Sequence, residues 1–168
     1  IALLRMSLKR YAVIVAGGAG MSKNQDTPKQ FLLLGGKPVL LHSLERFYHA
    51  QAEVILVLPQ NEIQRWQGLV DTFRITTPHQ IAVGGATRNR SVFSGLSKIF
   101  NSQSVVAVHD AARPLVSIQL IQSLFETAEH RGNAIPVIPV KDSLRKINSM
   151  SNQALNRSEI FAVQTPQV

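Results

Sequence analysis

The chain has 168 residues, of which 45% are hydrophobic and 17% are charged, and it contains no cysteine. This composition is typical of a globular domain, and it excludes thiolate metal sites, iron–sulfur clusters and disulfide frameworks. Eighteen lysines and arginines against ten acidic residues give a net charge of +8, which favours anionic partners, either phosphorylated small molecules or nucleic acid. No apolar run approaches the roughly 20 residues that span a bilayer, so we expect a cytoplasmic protein without a membrane partner.

Short apolar runs predict buried strands, and longer segments with helical spacing of their apolar residues predict helices. In chain order we expect a strand over 11–16, a helix over 40–50, a strand over 53–59, a helix over 62–73, a strand over 80–83, a helix over 90–100, a strand over 105–108, a helix over 118–130 and a strand over 134–140. Pro136 and Pro139 should bend this last strand or leave it partly unpaired. The alternation predicts a doubly wound, mostly parallel α/β sheet, which binds ligands beyond the carboxyl ends of its strands.

The pattern changes after Val140. Residues 141–147 alternate between polar and apolar, 148–156 are turn-like, and 158–163 return to strand character. We therefore expect a protruding β-hairpin arm over about residues 141–160, within a single domain over 1–168. Because no closing helix follows the arm, we expect further residues beyond Val168.

A glycine-rich turn follows the first predicted strand. Glycines there let the backbone approach a ligand and direct N–H groups at phosphate, although a simple tight turn has the same composition. The segment is neither a Walker motif nor a complete dinucleotide fingerprint. Its residues are Ala16, Gly17, Gly18, Ala19 and Gly20.

Lysines and arginines occur in two further segments that suit phosphate. Lys29 follows Pro28 on a stiff segment, where a fixed ammonium would neutralise charge on a phosphoryl group in transfer; the alternative is a solvated loop lysine, as for Lys37. Arg88 and Arg90 precede a predicted helix, whose N-terminus attracts anions, and they either contact phosphate or simply decorate the helix start.

A carboxylate ends the strand predicted over 105–108. Asp110 stands where a divalent-metal ligand of a nucleotide enzyme belongs, and Arg113 would pair with it or reach phosphate. The alternative is a structural Asp–Arg pair that stiffens a turn. His109 is expected to pack, since one histidine makes no metal site.

Taken together, these segments resemble the 2-C-methyl-D-erythritol 4-phosphate cytidylyltransferase family, nucleotidyltransferases of the non-mevalonate isoprenoid pathway. The resemblance runs from about Tyr11 to the last residue, and the Pro-Lys-Gln and Val-His-Asp-Ala-Ala-Arg-Pro strings are its most specific parts. The segments that carry it are Ala16–Gly20, Pro28–Phe31, Gly36–Leu40, Gly84-Gly85, Arg90–Val92, Val108–Pro114, Pro139–Ser143 and Gln164–Gln167.

The resemblance implies a Rossmann-like, homodimeric enzyme whose arm reaches the partner's active site. Such an enzyme joins CTP to a sugar-alcohol phosphate, here methylerythritol phosphate, and releases pyrophosphate with the help of Mg²⁺. It implies that the glycine turn and Lys29 hold the CTP phosphates and that Asp110 binds Mg²⁺. The remaining implied contacts are Gly85, Ser91 and Ala111 with the nucleotide, and Arg113, Ser143 (usually threonine in the family), Arg157 and Thr165 with the sugar phosphate.

The chain departs from the family pattern just after the glycine turn. The family has an arginine two residues after the last glycine, assigned to transition-state stabilisation, and then a methionine. Here Ser22 and Lys23 occupy those two positions. Either Lys23 takes over the catalytic role, or Met21 is the family methionine and the loop lacks residues. The family also has a C-terminal third that supplies a further catalytic lysine and a second metal-binding aspartate.

Three alternatives stay open at this point. Ribitol-5-phosphate cytidylyltransferases share most of these motifs. A relative that binds nucleotide without reacting is compatible with Ser22. A basic nucleic-acid-binding module would explain the net charge, but the aromatic residues are not interleaved with lysine or arginine as in a stacking platform, so we expect no nucleic-acid partner.

Overall fold

The computed structural model of the protein describes residues 8–17 and 27–168. In these ranges, 3₁₀ turns accompany the strands and helices at Lys29–Phe31, Gln60–Glu62 and Arg157–Glu159. Within the described ranges, no helix combines the length and the apolar character that crossing a bilayer requires. In chain order the elements are β1 (Lys9–Val15), β2 (Leu33–Leu34), β3 (Lys37–Pro38), α1 (Val39–His49), β4 (Glu53–Leu58), α2 (Ile63–Thr72), β5 (Gln80–Val83), α3 (Arg88–Leu96), β6 (Ser104–Asp110), α4 (Ile118–Arg131), β7 (Val137–Pro139), β8 (Arg145–Ile147), β9 (Asn152–Ala154) and β10 (Phe161–Val163).

Four parallel strands form the central sheet in the order β5–β4–β1–β6. This corresponds to strands 3-2-1-4 of the Rossmann order, in which the first strand lies inside the sheet. The continuous apolar run of β1 follows from that place, because both of its faces are covered and every residue from Tyr11 to Val15 is buried. The predicted α/β class, with a mostly parallel sheet, is confirmed.

Helices cover both faces of the sheet. One face carries α1, α2 and α4, and its core contains side chains that are fully buried: Ile14, Leu44, Phe47, Trp66, Ile121 and Phe125. The other face carries α3, which packs on Val13, Val15 and Val57. Alternation along each strand assigns its side chains to one core or the other.

The third helix, predicted over 90–100 with its opening near Thr87 or Asn89, differs from its prediction at its end. It begins at Arg88 because the hydroxyl of Thr87, the extended N-cap residue, accepts the N–H of Arg90 at 3.2 Å. It ends at Leu96. The N–H groups of Lys98 and Ile99 donate to the carbonyls three residues earlier, at 3.1 and 3.0 Å, instead of continuing the α-helical pattern. The predicted last turn was therefore wrong.

The segment predicted as a strand over 134–140 does not extend the parallel sheet. Only β7 is a strand, and it pairs antiparallel with β10. Ala134 exchanges two backbone hydrogen bonds of 2.8 and 2.9 Å with Val168, while Gln167 exchanges another two with Val108 of β6. The C-terminal residues of the chain, 164–168, which we call the returning chain, therefore lie between β6 and this segment. Pro136 and Pro139 have no backbone N–H, so they cannot donate hydrogen bonds to a neighbouring strand.

The arm is a β-hairpin of β8 and β9. Its turn is closed by Asn148, whose side-chain oxygen accepts the N–H groups of Met150 and Ser151 at 3.0 and 2.7 Å. The turn is shorter than the predicted 148–156, because 152–154 already belongs to β9. Every residue of both arm strands is exposed.

Packing of α3 on the sheet generates a prediction. A Cβ on Gly95 would stand 2.4 Å from Val13 Cγ1 and 2.9 Å from Val57 Cγ2. Gly95→Ala should therefore lower the free energy of unfolding by about 1–3 kcal/mol through overpacking, measured by denaturant titration. Gly68→Ala on α2 is the matched control, because a Cβ there meets nothing within 4 Å; it should instead stabilise by up to about 1 kcal/mol. Equal shifts in the two variants would contradict the close approach of α3.

Candidate active site

The register of the central sheet creates a cavity at the carboxyl ends of its strands. Val15 of β1 pairs with Val57 of β4 and with Asp110 of β6. Backbone bonds continue just past the strands, since the Ala16 N–H donates to the Val57 carbonyl at 2.9 Å and the Ala111 N–H donates to the Val15 carbonyl at 3.0 Å. The cavity has a volume of about 250 Å³, and its lining is Val15, Ala16, Gly17, Lys29, Gln30, Arg88, Asp110, Ala111 and Ala112.

Asp110 is held between two guanidinium groups. Arg88 donates from Nε and Nη2 to Oδ1 at 3.1 and 3.0 Å, and Arg113 donates from Nε to Oδ2 at 3.2 Å. Arg113 also donates from Nη1 to the side-chain oxygen of Gln164 at 2.7 Å. The aspartate side chain is 33% exposed and each arginine more than 40%, so these pairs contribute little to stability and can rearrange around a ligand.

Lys29 reaches the cavity from a short structured segment. It begins a 3₁₀ turn after Pro28, and the buried Phe31 anchors that turn. The hairpin of β2 and β3 follows, closed by Gly35 and Gly36 at φ of 58° and 81°, the conformation of a two-residue type I′ turn. The proline before Lys29 and the anchors after it agree with the predicted stiff segment.

Gln30 ties that segment to the glycine turn. Only 5% of the surface of Gln30 is exposed, and its Nε2 donates to the Ala16 carbonyl at 2.8 Å. The end of β1 and the lysine segment are thereby fixed to each other. Gln30 is a site residue that the sequence did not predict; its only signal there is its place in the Pro-Lys-Gln string.

Gly85 and Ser91 form a second turn beside the glycine turn. The Gly85 N–H donates to Ser91 Oγ at 3.1 Å, and that hydroxyl donates to the Gly85 carbonyl at 3.4 Å. A Cβ on Gly85 would stand 2.4 Å from Arg90 Cβ, while one on Gly17 would be 3.4 Å from Ser91 Oγ. The structure thus brings the two predicted nucleotide-binding turns into contact range.

His109 and Thr165 lie directly behind Asp110. The imidazole is fully buried, and its ring centroid is 5.0 Å from that of Phe47. Burial lowers the pKa of His109 to about 4, so the ring is neutral at pH 7. Its Nδ1 is 3.1 Å from Thr165 Oγ1, which also accepts the Asp110 N–H at 3.4 Å. The expected packing role of His109 agrees with this burial.

The arm carries the other two residues expected at the sugar phosphate. Ser143 is exposed just before β8, and Arg157 donates from Nη1 to the Lys141 carbonyl at 2.6 Å. Neither is among the described residues that line the cavity. Five predicted site residues fall outside the described ranges: Gly18, Ala19, Gly20, Ser22 and Lys23.

The side chains of the site can be compared with the ligands that a divalent cation requires. Among the residues that the structure describes, no three histidine, aspartate or glutamate side chains cluster in a way that would hold a metal. One carboxylate, that of Asp110, lines the cavity. Mg²⁺ is commonly bound by one or two carboxylates with substrate phosphates supplying further oxygens, so the site fits a magnesium ion that arrives with a polyphosphate, once Arg88 has left Oδ1.

A Rossmann-like sheet whose strand ends combine two glycine turns with clustered cations defines a nucleotide-binding α/β protein. A family model described as 2-C-methyl-D-erythritol 4-phosphate cytidylyltransferase matches residues 11–168. The chain belongs to this family, which is one of nucleotidyltransferase enzymes. The predicted resemblance is confirmed.

Individual relatives agree with the family match. The 2-C-methyl-D-erythritol 4-phosphate cytidylyltransferase of Porphyromonas gingivalis is 44% identical over 162 residues, which cover 96% of this chain and 72% of that protein. The protein of the same name from Bacteroides thetaiotaomicron is 41% identical over 163 residues, which cover 96% and 74%. The crystal structure of the Thermus thermophilus cytidylyltransferase matches with a TM-score of 0.68 at 32% identity, over 95% of this chain and 70% of that one.

The buried Gln30 contact generates a prediction. Gln30→Glu keeps the shape of the side chain but replaces the donor that faces the Ala16 carbonyl with an acceptor. The free energy of unfolding should fall by about 1–3 kcal/mol, the cost of an unsatisfied buried polar pair, as measured by denaturant titration. Gln64→Glu, an exposed change on α2, is the control and should stay within about 0.5 kcal/mol. An unchanged stability for Gln30→Glu would show that the contact does not hold the turn.

Proposed function

We propose that this protein transfers the cytidylyl group of CTP to 2-C-methyl-D-erythritol 4-phosphate. One observation carries the proposal: Lys29, Arg88 and Asp110 converge with the Ala16-Gly17 backbone in one cavity beyond the strand ends, in a chain that matches this family over residues 11–168. The relatives named above are methylerythritol phosphate enzymes, which favours this acceptor over ribitol phosphate. Substrates made inside the cell favour a cytoplasmic location.

The residues of the cavity suit a reaction between two polyanions. A phosphate oxygen of the sugar phosphate attacks the α-phosphorus of CTP, a new phosphoanhydride bond forms, and the bond from the α-phosphorus to the β-phosphate oxygen breaks to release pyrophosphate. Catalysis of such a transfer consists mainly of positioning and charge neutralisation. Lys29 would neutralise the α-phosphate region, while the backbone of the glycine turn holds the other phosphates. Gly85, Ser91 and Ala111 would contact the cytidine.

Mg²⁺ is the cofactor that we propose, with Asp110 as the residue that holds it. When bound, the ion neutralises phosphate charge during the transfer. Arg88, displaced from Oδ1, would then be free to pair with a phosphate group of the nucleotide. Arg113 keeps its contact with Oδ2 and Gln164, so the carboxylate stays oriented.

We further propose a homodimer in which each arm serves the partner's site. A two-stranded hairpin is marginal in isolation, and this one presents Ile147 and Met150 at 69% and 94% exposure. A second subunit would cover that surface. Arg157 at the arm base would then offer a bidentate fork to the phosphate of the sugar phosphate, with Ser143 beside it, while Thr165 would meet the sugar hydroxyls.

Nucleotide binding tests the proposed function directly. Calorimetry on the full-length protein should show CTP binding that requires Mg²⁺ and exceeds ATP binding. Lys29→Ala should weaken CTP binding by about tenfold or more, because a charged hydrogen bond contributes roughly 1.5–3 kcal/mol.

Lys37→Ala is the matched control for the lost charge. Its ammonium pairs with Glu45 at 3.0 Å on the surface, so CTP affinity should not change. Equal affinity for CTP and ATP, or binding that is indifferent to Mg²⁺, would contradict the cytidylyltransferase assignment. Binding of random duplex DNA with a steep salt dependence, and none of CTP, would favour the nucleic-acid alternative.

Subunit mixing tests the shared site. Arg157→Ala and Lys29→Ala subunits should each be inactive alone, and after exchange half of the dimers are mixed and hold one intact site each. About a quarter of the wild-type turnover should therefore return. Each variant mixed with itself is the control. No recovery after subunit exchange, confirmed by mass spectrometry of tagged chains, would place Arg157 in its own subunit's site.

A further inference from the structure

His109 occupies a position that the reaction outlined above does not use. It is the penultimate residue of β6, next to Asp110, and it is fully buried. Both ring nitrogens have partners: Nε2 is 3.1 Å from the Arg113 carbonyl and Nδ1 is 3.1 Å from Thr165 Oγ1. A buried imidazole needs a partner for each nitrogen, and here the two partners come from segments of the chain that both carry site residues.

The chemistry of the partners fixes where each proton lies. A carbonyl only accepts, so the hydrogen on Nε2 donates to Arg113. The neutral ring therefore has a bare Nδ1, which accepts the hydroxyl hydrogen of Thr165. The same hydroxyl oxygen accepts the Asp110 N–H at 3.4 Å. The result is a continuous chain of hydrogen bonds, called the relay below. It runs from the Asp110 amide through Thr165 and His109 to the Arg113 carbonyl, and every donor in it meets an acceptor.

We propose that His109 is a positioning residue that holds three site residues, Asp110, Arg113 and Thr165, in one arrangement. The ring spans the turn over 110–113, since the relay starts at the first amide of that turn and ends at its last carbonyl. It also holds the returning chain at Thr165, which is 55 residues away from Asp110 in sequence. The inference rests on the proposed function, because that function makes these three residues site residues.

Nitrogen-15 NMR on the wild-type protein tests the relay without any substitution. The His109 imidazole should show a protonated Nε2, with a hydrogen that exchanges slowly with solvent, and an unprotonated Nδ1. The opposite tautomer would overturn the relay as described. This result does not depend on nucleotide binding, so it is distinguishable from a failure of the proposed function, which would appear as wild-type protein that binds no CTP.

Substitution at His109 tests the positioning role in the full-length enzyme. His109→Phe keeps a buried ring against Phe47 but removes both hydrogen bonds. Turnover per folded molecule should fall by about 10–100-fold, the typical loss when a residue that orients a ligand-binding group is removed. If activity per folded molecule is unchanged and only the melting temperature falls, His109 is merely structural and the proposal is wrong.

Two conservative variants each restore one of the two hydrogen bonds of His109. His109→Asn places an oxygen near the Nδ1 position and can still accept from Thr165, whereas His109→Gln places a donor near Nε2 for the Arg113 carbonyl. His109→Asn should therefore recover the KM for the sugar phosphate more than His109→Gln does. Equal KM values in the two variants would contradict separate roles for the two nitrogens.

A double-mutant cycle with Thr165→Val completes the test. In the Thr165→Val background, His109→Asn and His109→Phe should have the same KM for the sugar phosphate. No hydroxyl then remains to donate to an acceptor at position 109. Fully additive effects of the two substitutions would overturn the coupling between His109 and Thr165. Melting curves for each variant separate lost folding from lost positioning.

Discussion

The site depends first on the in-register pairing of β1 with β4 and β6. Parallel strands end at the same edge of a sheet, and here Val15, Val57 and Asp110 are neighbours across that edge. Two more backbone bonds, from Ala16 and Ala111, continue the pairing beyond the strands. The glycine turn after β1 and the carboxylate at the end of β6 are therefore adjacent, although 93 residues separate Gly17 from Asp110. A one-residue slip would place the Asp110 side chain on the other face of the sheet.

Charge balance in the cavity gives this geometry its chemical character. Lys29 and Arg88 line the cavity together with the single carboxylate of its described lining, and Arg113 pairs with the same carboxylate from outside it. Because Arg88 and Arg113 are held by the oxygens of Asp110, these cations are already in place when an anionic ligand arrives. The pairs are surface-exposed and cost little to rearrange. An arrangement of this kind suits a polyphosphate, which brings its own oxygens for a metal ion.

Local patterns predicted most of the helices and strands, but they did not predict which strands pair with each other. The apolar runs predicted β1, β4 and β6, because a strand covered on both faces needs continuous apolar residues. The segment over 134–140 has the same composition, yet it pairs with the returning chain, since its partner is chosen by contacts distant in sequence. For the same reason the sequence indicated Asp110 and Lys29 but not the Arg88–Asp110 pair, which spans 22 residues, nor the Gln30 contact with Ala16.

Alternation along β6 explains how one strand end serves two purposes. Val106, Val108 and Asp110 face the layer of α3, where Arg88 at the start of that helix meets the carboxylate. Ala107 and His109 face the layer of α1, where His109 is enclosed beside Phe47. A polar ring in that apolar layer is tolerated only with both nitrogens partnered, and the available partners are the turn after Asp110 and the returning Thr165. The partners that satisfy the buried imidazole thus also hold the backbone N–H of Asp110, from the opposite face of the sheet.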